Sequence, residues 1–200
     1  METDIAKPQV VVDPVTRSLV VTAARTIIAE LGVNPDAPGM EQTPHRYAKA
    51  MKELTAGYDE EPGVILSTTF PEQQDEMVVL RNIPFYSLCE HHMLPFFGAA
   101  TVGYLPGAGK GVVGLSKLAR LVECFARRLQ VQERMTKEIT DAMNEHMDPS
   151  GAGCVITARH LCMEMRGVQK TGSEFTTSSL VGSFRSDHSV RTEFLALAHA

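Results

Sequence analysis

Between Leu88 and Pro95 the chain reads Leu88-Cys89-Glu90-His91-His92-Met93-Leu94-Pro95, and His160-Leu161-Cys162 follows much later. Cys89, His92 and Cys162 together offer two thiolates and one imidazole, donors that suit zinc. Structural zinc sites normally close with four protein ligands, whereas three leave a corner for water. His91 and His160 flank these donors and can carry protons near neutral pH. The set points to metal-assisted hydrolysis. A plainer reading fits the same residues: small buried thiols and hydrogen-bonded core histidines. A lone Cys-x-x-His arises by chance, so the local pattern leaves both open.

The donors need elements to aim them. Cys89 and His92 lie between Pro84 and Pro95, where a tight turn can point both inward. The stretch 154–165 is rich in apolar and β-branched residues and reads as a strand. Alternate strand residues share a face, which predicts that His160 and Cys162 point the same way, followed by Glu164 and Arg166. Upstream, 1–12 reads as a loose arm. Asp13-Pro14 opens a helical pattern through Val15, Leu19, Ile27 and Leu31, stopped by Gly32. Thr43-Pro44 predicts a second helix with Thr43 as N-cap, its apolar side being Tyr47, Met51, Leu54 and Tyr58. Arg46 and Lys49 share a face there, which by pattern alone is a solvated surface.

Beyond these helices, 77–80 and 97–104 read as strands, 106–109 as a turn and 111–114 as a short extended piece. Ser116 is the expected N-cap of a helix with the stripe Leu118, Leu121, Val122, Phe125 and Leu129. Lys117 then falls in the first turn, where anions are favoured. Met135, Ile139, Met143 and Met147 mark a further helix with a core-facing stripe. Strands at 154–165 and 175–184 and a helix at 190–198 complete the order. The pattern is α+β with a mainly antiparallel sheet, divided into an N-terminal helical region (1–75) and a catalytic domain (76–200).

Composition does not oppose an enzyme. The 200 residues, 44% hydrophobic and 22% charged, suffice for one substantial core. A net charge of −5 argues against general nucleic-acid binding. There is no apolar run for a membrane span, and the polar amino end does not read as a signal peptide, so a cytoplasmic protein is expected. Four cysteines do not form a disulfide framework; Cys124 and Cys154 read as structural.

Four segments carry a resemblance: Ser87-Leu88-Cys89-Glu90-His91-His92-Met93-Leu94-Pro95-Phe96, Gly114-Leu115-Ser116-Lys117-Leu118-Ala119-Arg120, Val131-Gln132-Glu133-Arg134-Met135-Thr136, and His160-Leu161-Cys162-Met163-Glu164-Met165-Arg166-Gly167-Val168. In this order they closely resemble GTP cyclohydrolase I, the zinc enzyme that opens the folate and biopterin pathways. The likeness runs from about the Thr43 helix to the C-terminus. It implies one zinc per subunit on Cys89, His92 and Cys162. His160 then matches the residue that protonates guanine N7, and His91 a second acid–base group. Ser116 matches a residue near the ribose and phosphates. Glu133 matches the guanine reader, with Gln132 beside it, and Glu90 a position lining the site. Arg46, Lys49, Lys117, Arg120 and Arg166 match phosphate-binding positions, overturning the solvated reading of the first two. The implied products are formate and 7,8-dihydroneopterin triphosphate.

The implied fold is the tunnelling or T-fold: a four-stranded antiparallel sheet with helices on one face and an N-terminal helical extension. Sheets join into a barrel, two rings stack as a homodecamer, and neighbouring subunits share each site. Three alternatives differ in chemistry. The related nitrile reductase of queuosine synthesis uses a cysteine nucleophile, and pyruvoyl-tetrahydropterin synthase relatives use histidine-only metal sites. A non-enzymatic scaffold with structural zinc needs a fourth ligand, for which His91 is the near candidate.

Overall fold

The computed structural model of the protein describes residues 19–71 and 74–199. The expected N-terminal arm and the Asp13-Pro14 helix start lie outside the described residues. The chain divides into two compact units, Met1–Glu53 and Leu54–Ala200. In the first, α1 (Leu19–Glu30) and α2 (Thr43–Leu54) are joined by a turn-rich loop. Gly32 ends the first helix with a φ of 79°, a left-handed cap that glycine adopts without a Cβ clash. Thr43 is itself the first residue of α2, one step further in than a cap.

The second unit opens with a 3-10 turn at Ala56–Asp59 and α3 (Pro62–Leu66). It continues through β1 (Thr69–Phe70), β2 (Val78–Cys89), β3 (Pro95–Leu105) and β4 (Val112–Val113). Next come α4 (Leu115–Ala126), β5 (Leu129–Gln130), α5 (Gln132–Met147) and β6 (Gly151–His160). The short α6 (Leu161–Glu164), β7 (Phe175–Gly182), α7 (Ser183–Ser186) and α8 (His188–His199) finish it. No described helix is long and apolar enough to cross a membrane.

The main sheet has the order β5-β2-β3-β6-β7. Its four long strands pair antiparallel, as expected, and a two-residue fifth strand, β5, runs parallel to the end of β2. One face is covered by α4 and α5, whose Leu118, Leu121, Val122, Met135, Ile139 and Met143 are fully buried against Phe85, Phe96, Val102 and Ile156. Helices were expected on that face alone, but α7 and α8 cover one end of the other. There Phe184 and Phe194 pack with Val155, Val79 and Leu180. The paired glycines Gly103 and Gly153 make this possible: a Cβ on either would come within 2.8–2.9 Å of the Phe194 ring.

Several element ends differ from the sequence expectation for local reasons. Gly114, rather than Ser116, occupies the N-cap of α4; Lys117 still lies in the first turn, its N–H donating to Gly114 O. Leu129 leaves the α4 stripe for β5, because Arg128 Nε donates to Cys124 O and Gly57 O and so closes the helix end. Asp187 Oδ1 accepts from the N–H groups of Ser189 and Val190, starting α8 earlier than expected. Most important, β6 stops at His160. Its last ladder partner is Phe96, next to Pro95 at the start of β3, so the chain beyond has no strand to pair with and coils into α6.

A bulge in β2 aims the end of that strand. Leu80 pairs with Val102, but Ala100, two residues on, pairs with Ile83, three residues on. The extra residue includes Asn82 at a φ of 53°, a left-handed conformation that asparagine tolerates better than most residues. Val78 and Leu80 face α4 and α5 before the bulge; Ile83, Phe85 and Cys89 do so after it.

Candidate active site

Cys89 is the last residue of β2, delivered by the bulge to the helix-covered face. The turn that follows is tied at both sides. Cys89 N–H donates to Leu94 O (2.9 Å), Met93 N–H to Cys89 O (2.7 Å), and Glu90 N–H to Gln130 O (3.0 Å). Met93 takes a φ of 53°, which turns the chain so that Leu94 O comes back to the Cys89 N–H. Cys162 arrives from α6. Donor atoms of Cys89, His92 and Cys162 all lie within 4.8 Å of one another. The expected shared strand face does not hold, since Cys162 sits on a helical turn; Cys162 and His160 nonetheless line one cavity.

The donor set fits a divalent metal. Tetrahedral ligand lengths of about 2.0–2.3 Å place donors roughly 3.5–3.8 Å apart, close to this spacing. Burial, and then the neighbouring Cys89 thiol, pushes the Cys162 thiol above its ordinary range. Two facing thiols oppose each other's ionisation, and a cation between them relieves that opposition.

The three donors open onto a cavity of about 570 Å³, within the usual size of a small-molecule site. Of the other residues singled out in the sequence, His91, His160, Gln132, Glu133 and Arg166 line it. His160 is held on three sides. Phe96 stacks on its ring at 4.6 Å and 2°, and Phe175 stands edge-on at 5.9 Å. Gln132 Oε1 lies 2.8 Å from its Nε2. Burial lowers the pKa of His160 and the Glu133 carboxylate partly opposes this. Glu133 itself is exposed in the first turn of α5. Gln132 is buried, although it borders the cavity.

The α6 turn carrying Cys162 is anchored to β6 by Arg159, whose Nε and Nη2 both bond Glu164, at 2.8 and 2.6 Å. Glu164 is buried and its pKa is lowered by this partner. It therefore braces the turn rather than following His160 along a strand face.

Other named residues of the second unit do not line this cavity. Glu90 pairs with Arg134 outside the cavity, and that hydrogen bond lowers its pKa. Ser116, Lys117 and Arg120 do not line the cavity; Arg120 borders a separate hollow with Asp59, Glu60 and Glu61. Arg46 and Lys49 stand exposed on α2 of the first unit, with Lys49 4.0 Å from Glu53. Phe96 and Phe175 carried no assigned role in the sequence. Their positions depend on strand register, which no local spacing reveals. Cys124 and Cys154 are fully buried, as expected, and burial raises both thiol pKa values.

The family model of GTP cyclohydrolase I matches residues 20–199. The chain is 52% identical to a GTP cyclohydrolase 1 of Janthinobacterium sp. (strain Marseille), over 87% of this chain and 88% of that one. It is 51% identical to a GTP cyclohydrolase 1 of Coxiella burnetii (strain Dugway 5J108-111), over 86% and 94%. A solved structure, the archaeosine synthase QueF-Like in the apo form, superposes with a TM-score of 0.43 at 14% identity, covering 56% of this chain and 97% of that one.

Proposed function

The chain belongs to the GTP cyclohydrolase I family, and from that premise we propose that its cavity hydrolyses the imidazole ring of GTP. One water is consumed, C8 leaves as formate, and the remainder rearranges and closes to 7,8-dihydroneopterin triphosphate. The observation that carries this reading is the convergence of Cys89, His92 and Cys162 on the same cavity as His91, His160 and Glu133.

Each residue has a task in that reaction. Cys89, His92 and Cys162 hold zinc, one ion per subunit. When bound, zinc lowers the pKa of a water ligand from ~15.7 towards ~7. His160 gives a proton to guanine N7, which makes C8 more electrophilic. His91 moves protons in ring opening and in the later steps on the ribose. Glu133 accepts from guanine N1–H and the exocyclic amine together. Adenine has no proton on N1, so it leaves that carboxylate unpaired and is rejected. Arg166 at the cavity takes part of the triphosphate charge. Ser116, Lys117, Arg120, Arg46 and Lys49 complete the ribose and phosphate contacts from neighbouring subunits of a homo-oligomer, a ring-built T-fold decamer. Glu90 supports the site from its pair with Arg134.

The test combines three measurements on one preparation: zinc content, formate released from GTP, and the fluorescence of the oxidised pterin product. Near-stoichiometric zinc with both products is expected. Zinc without formate or pterin would leave a structural metal site and end the catalytic reading.

A further inference from the structure

Gln132 lies in the sequence beside the proposed guanine reader, yet its side chain is engaged inside the protein. The residue is 1% exposed. Its Nε2 lies 3.1 Å from Ile156 O, 2.8 Å from Phe175 O and 3.1 Å from Thr177 Oγ1. Its Oε1 lies 2.8 Å from His160 Nε2. Which end of a glutamine amide faces which neighbour is decided by the hydrogen-bond network. Here two of the neighbours are backbone carbonyls, which only accept. The NH2 end must face them.

The hydroxyls lead to the same orientation by a separate route. Thr136 Oγ1 donates to the backbone carbonyl of Gln132 at 2.7 Å, one turn back along α5. Its proton being committed there, Thr136 accepts from Thr177 across the 2.6 Å contact between their hydroxyls. Thr177 Oγ1 is then left to accept from Gln132 Nε2, whose two hydrogens are shared among this hydroxyl and the two carbonyls. The chain of donors therefore runs in one direction and ends on a backbone carbonyl. With the NH2 end fixed, Oε1 faces His160, and an amide oxygen only accepts. His160 Nε2 must carry the hydrogen. The Phe96 ring, stacked at 2° on the imidazole, keeps it in the plane this bond requires.

We infer that Gln132 is a positioning residue that holds His160 as its Nε2–H tautomer, so that Nδ1 is the ring atom that exchanges a proton with the substrate. The inference rests on the reading of His160 as an acid–base group. The Nε2–H bond to Gln132 stays intact throughout the cycle. The proton that reaches guanine N7 sits on Nδ1 and leaves the ring with its lone pair restored there. Gln132 is thereby removed from the list of guanine contacts and placed behind the histidine, where it sets which nitrogen works. A glutamate at 132 would not substitute, because its oxygens would meet the carbonyls of Ile156 and Phe175 without a hydrogen between them.

Solid-state ¹⁵N spectra of histidine-labelled, zinc-loaded protein test this directly, at about pH 8 where an ordinary imidazole is neutral. The His160 signals are assigned by their loss in His160→Asn. A protonated Nε2 and a bare Nδ1 are expected. The opposite tautomer in the unaltered protein overturns the inference, and that result needs no variant to fold. In Gln132→Met, which keeps length and removes the acceptor, the two tautomers should mix. Its kcat should fall about a hundredfold, with KM for GTP within about threefold of the parent and zinc retained. A raised KM with kcat preserved would return Gln132 to substrate contact and overturn the inference. Formate release by the unaltered protein is measured alongside. Its absence defeats the proposed function, whereas formate with the wrong tautomer defeats only the role given to Gln132.

Discussion

At the scale of single residues, Cys162 is the donor that most needs a metal. Its thiol is half-buried against Cys89, and both burial and that neighbour hold it protonated. Cys162→Ser replaces a soft donor with a hydroxyl that zinc binds poorly. The variant should lose most bound zinc and nearly all formate release, while its circular dichroism and melting stay close to the parent. Metal analysis after exhaustive dialysis checks this, and full zinc occupancy in the variant would remove Cys162 from the ligand set. The donor triad was legible in the sequence because two cysteines and a histidine advertise their chemistry by type. Phe96 was not legible in the same way. Its place against His160 comes from the ladder pairing of the two residues, and a phenylalanine looks alike in any strand.

At the scale of elements, the short turn α6 decides where Cys162 stands. Arg159 and Glu164 bind it to the end of β6 through two hydrogen bonds. Arg159→Ala leaves the buried Glu164 carboxylate without its partner, and the turn should loosen. Zinc affinity, read by competition with a chelator, should weaken about tenfold, the lower end for groups that orient metal ligands. Unchanged affinity would mean that the backbone bonds of the turn suffice. The 154–165 run read as one strand because it is rich in apolar and β-branched residues on both sides of His160. Ladder pairing ended it at His160, and pairing is a property of the neighbour β3. A second element joint rests on Tyr104, whose buried hydroxyl accepts from Val113 N–H at 2.9 Å and fixes β4. Tyr104→Phe strands that N–H and should cost about 1–3 kcal/mol in urea unfolding. Burial raises the Tyr104 pKa above its usual value, so the unfolded chain ionises first as pH rises. The stability tied to this is complete below about pH 10 and declines as pH climbs through the higher folded value. The phenylalanine variant should lack that alkaline decline.

At the scale of the whole molecule, the cavity is short of positive charge for a triphosphate. Arg166 is the one arginine or lysine among its described lining residues, while Arg120 faces a separate hollow. The sheet meanwhile has outer strands, with nothing paired beyond β7 among the described residues, and such edges accept further strands. Assembly would answer both needs. Arg120→Ala and His160→Ala should each be inactive alone, yet recover part of the formate release when unfolded and reassembled together. Verified mixed oligomers with no recovery would assign each site to a single chain. The bulge at Asn82 bears on the history such a chain can have. Before it, even-numbered residues reach the helix-covered face; after it, odd-numbered ones do, Cys89 among them. Substitutions can accumulate along this strand, but a one-residue insertion or deletion between Leu80 and Cys89 forces a choice between the core and the metal donor. The register thus constrains the length of this stretch more tightly than the identity of its exposed residues.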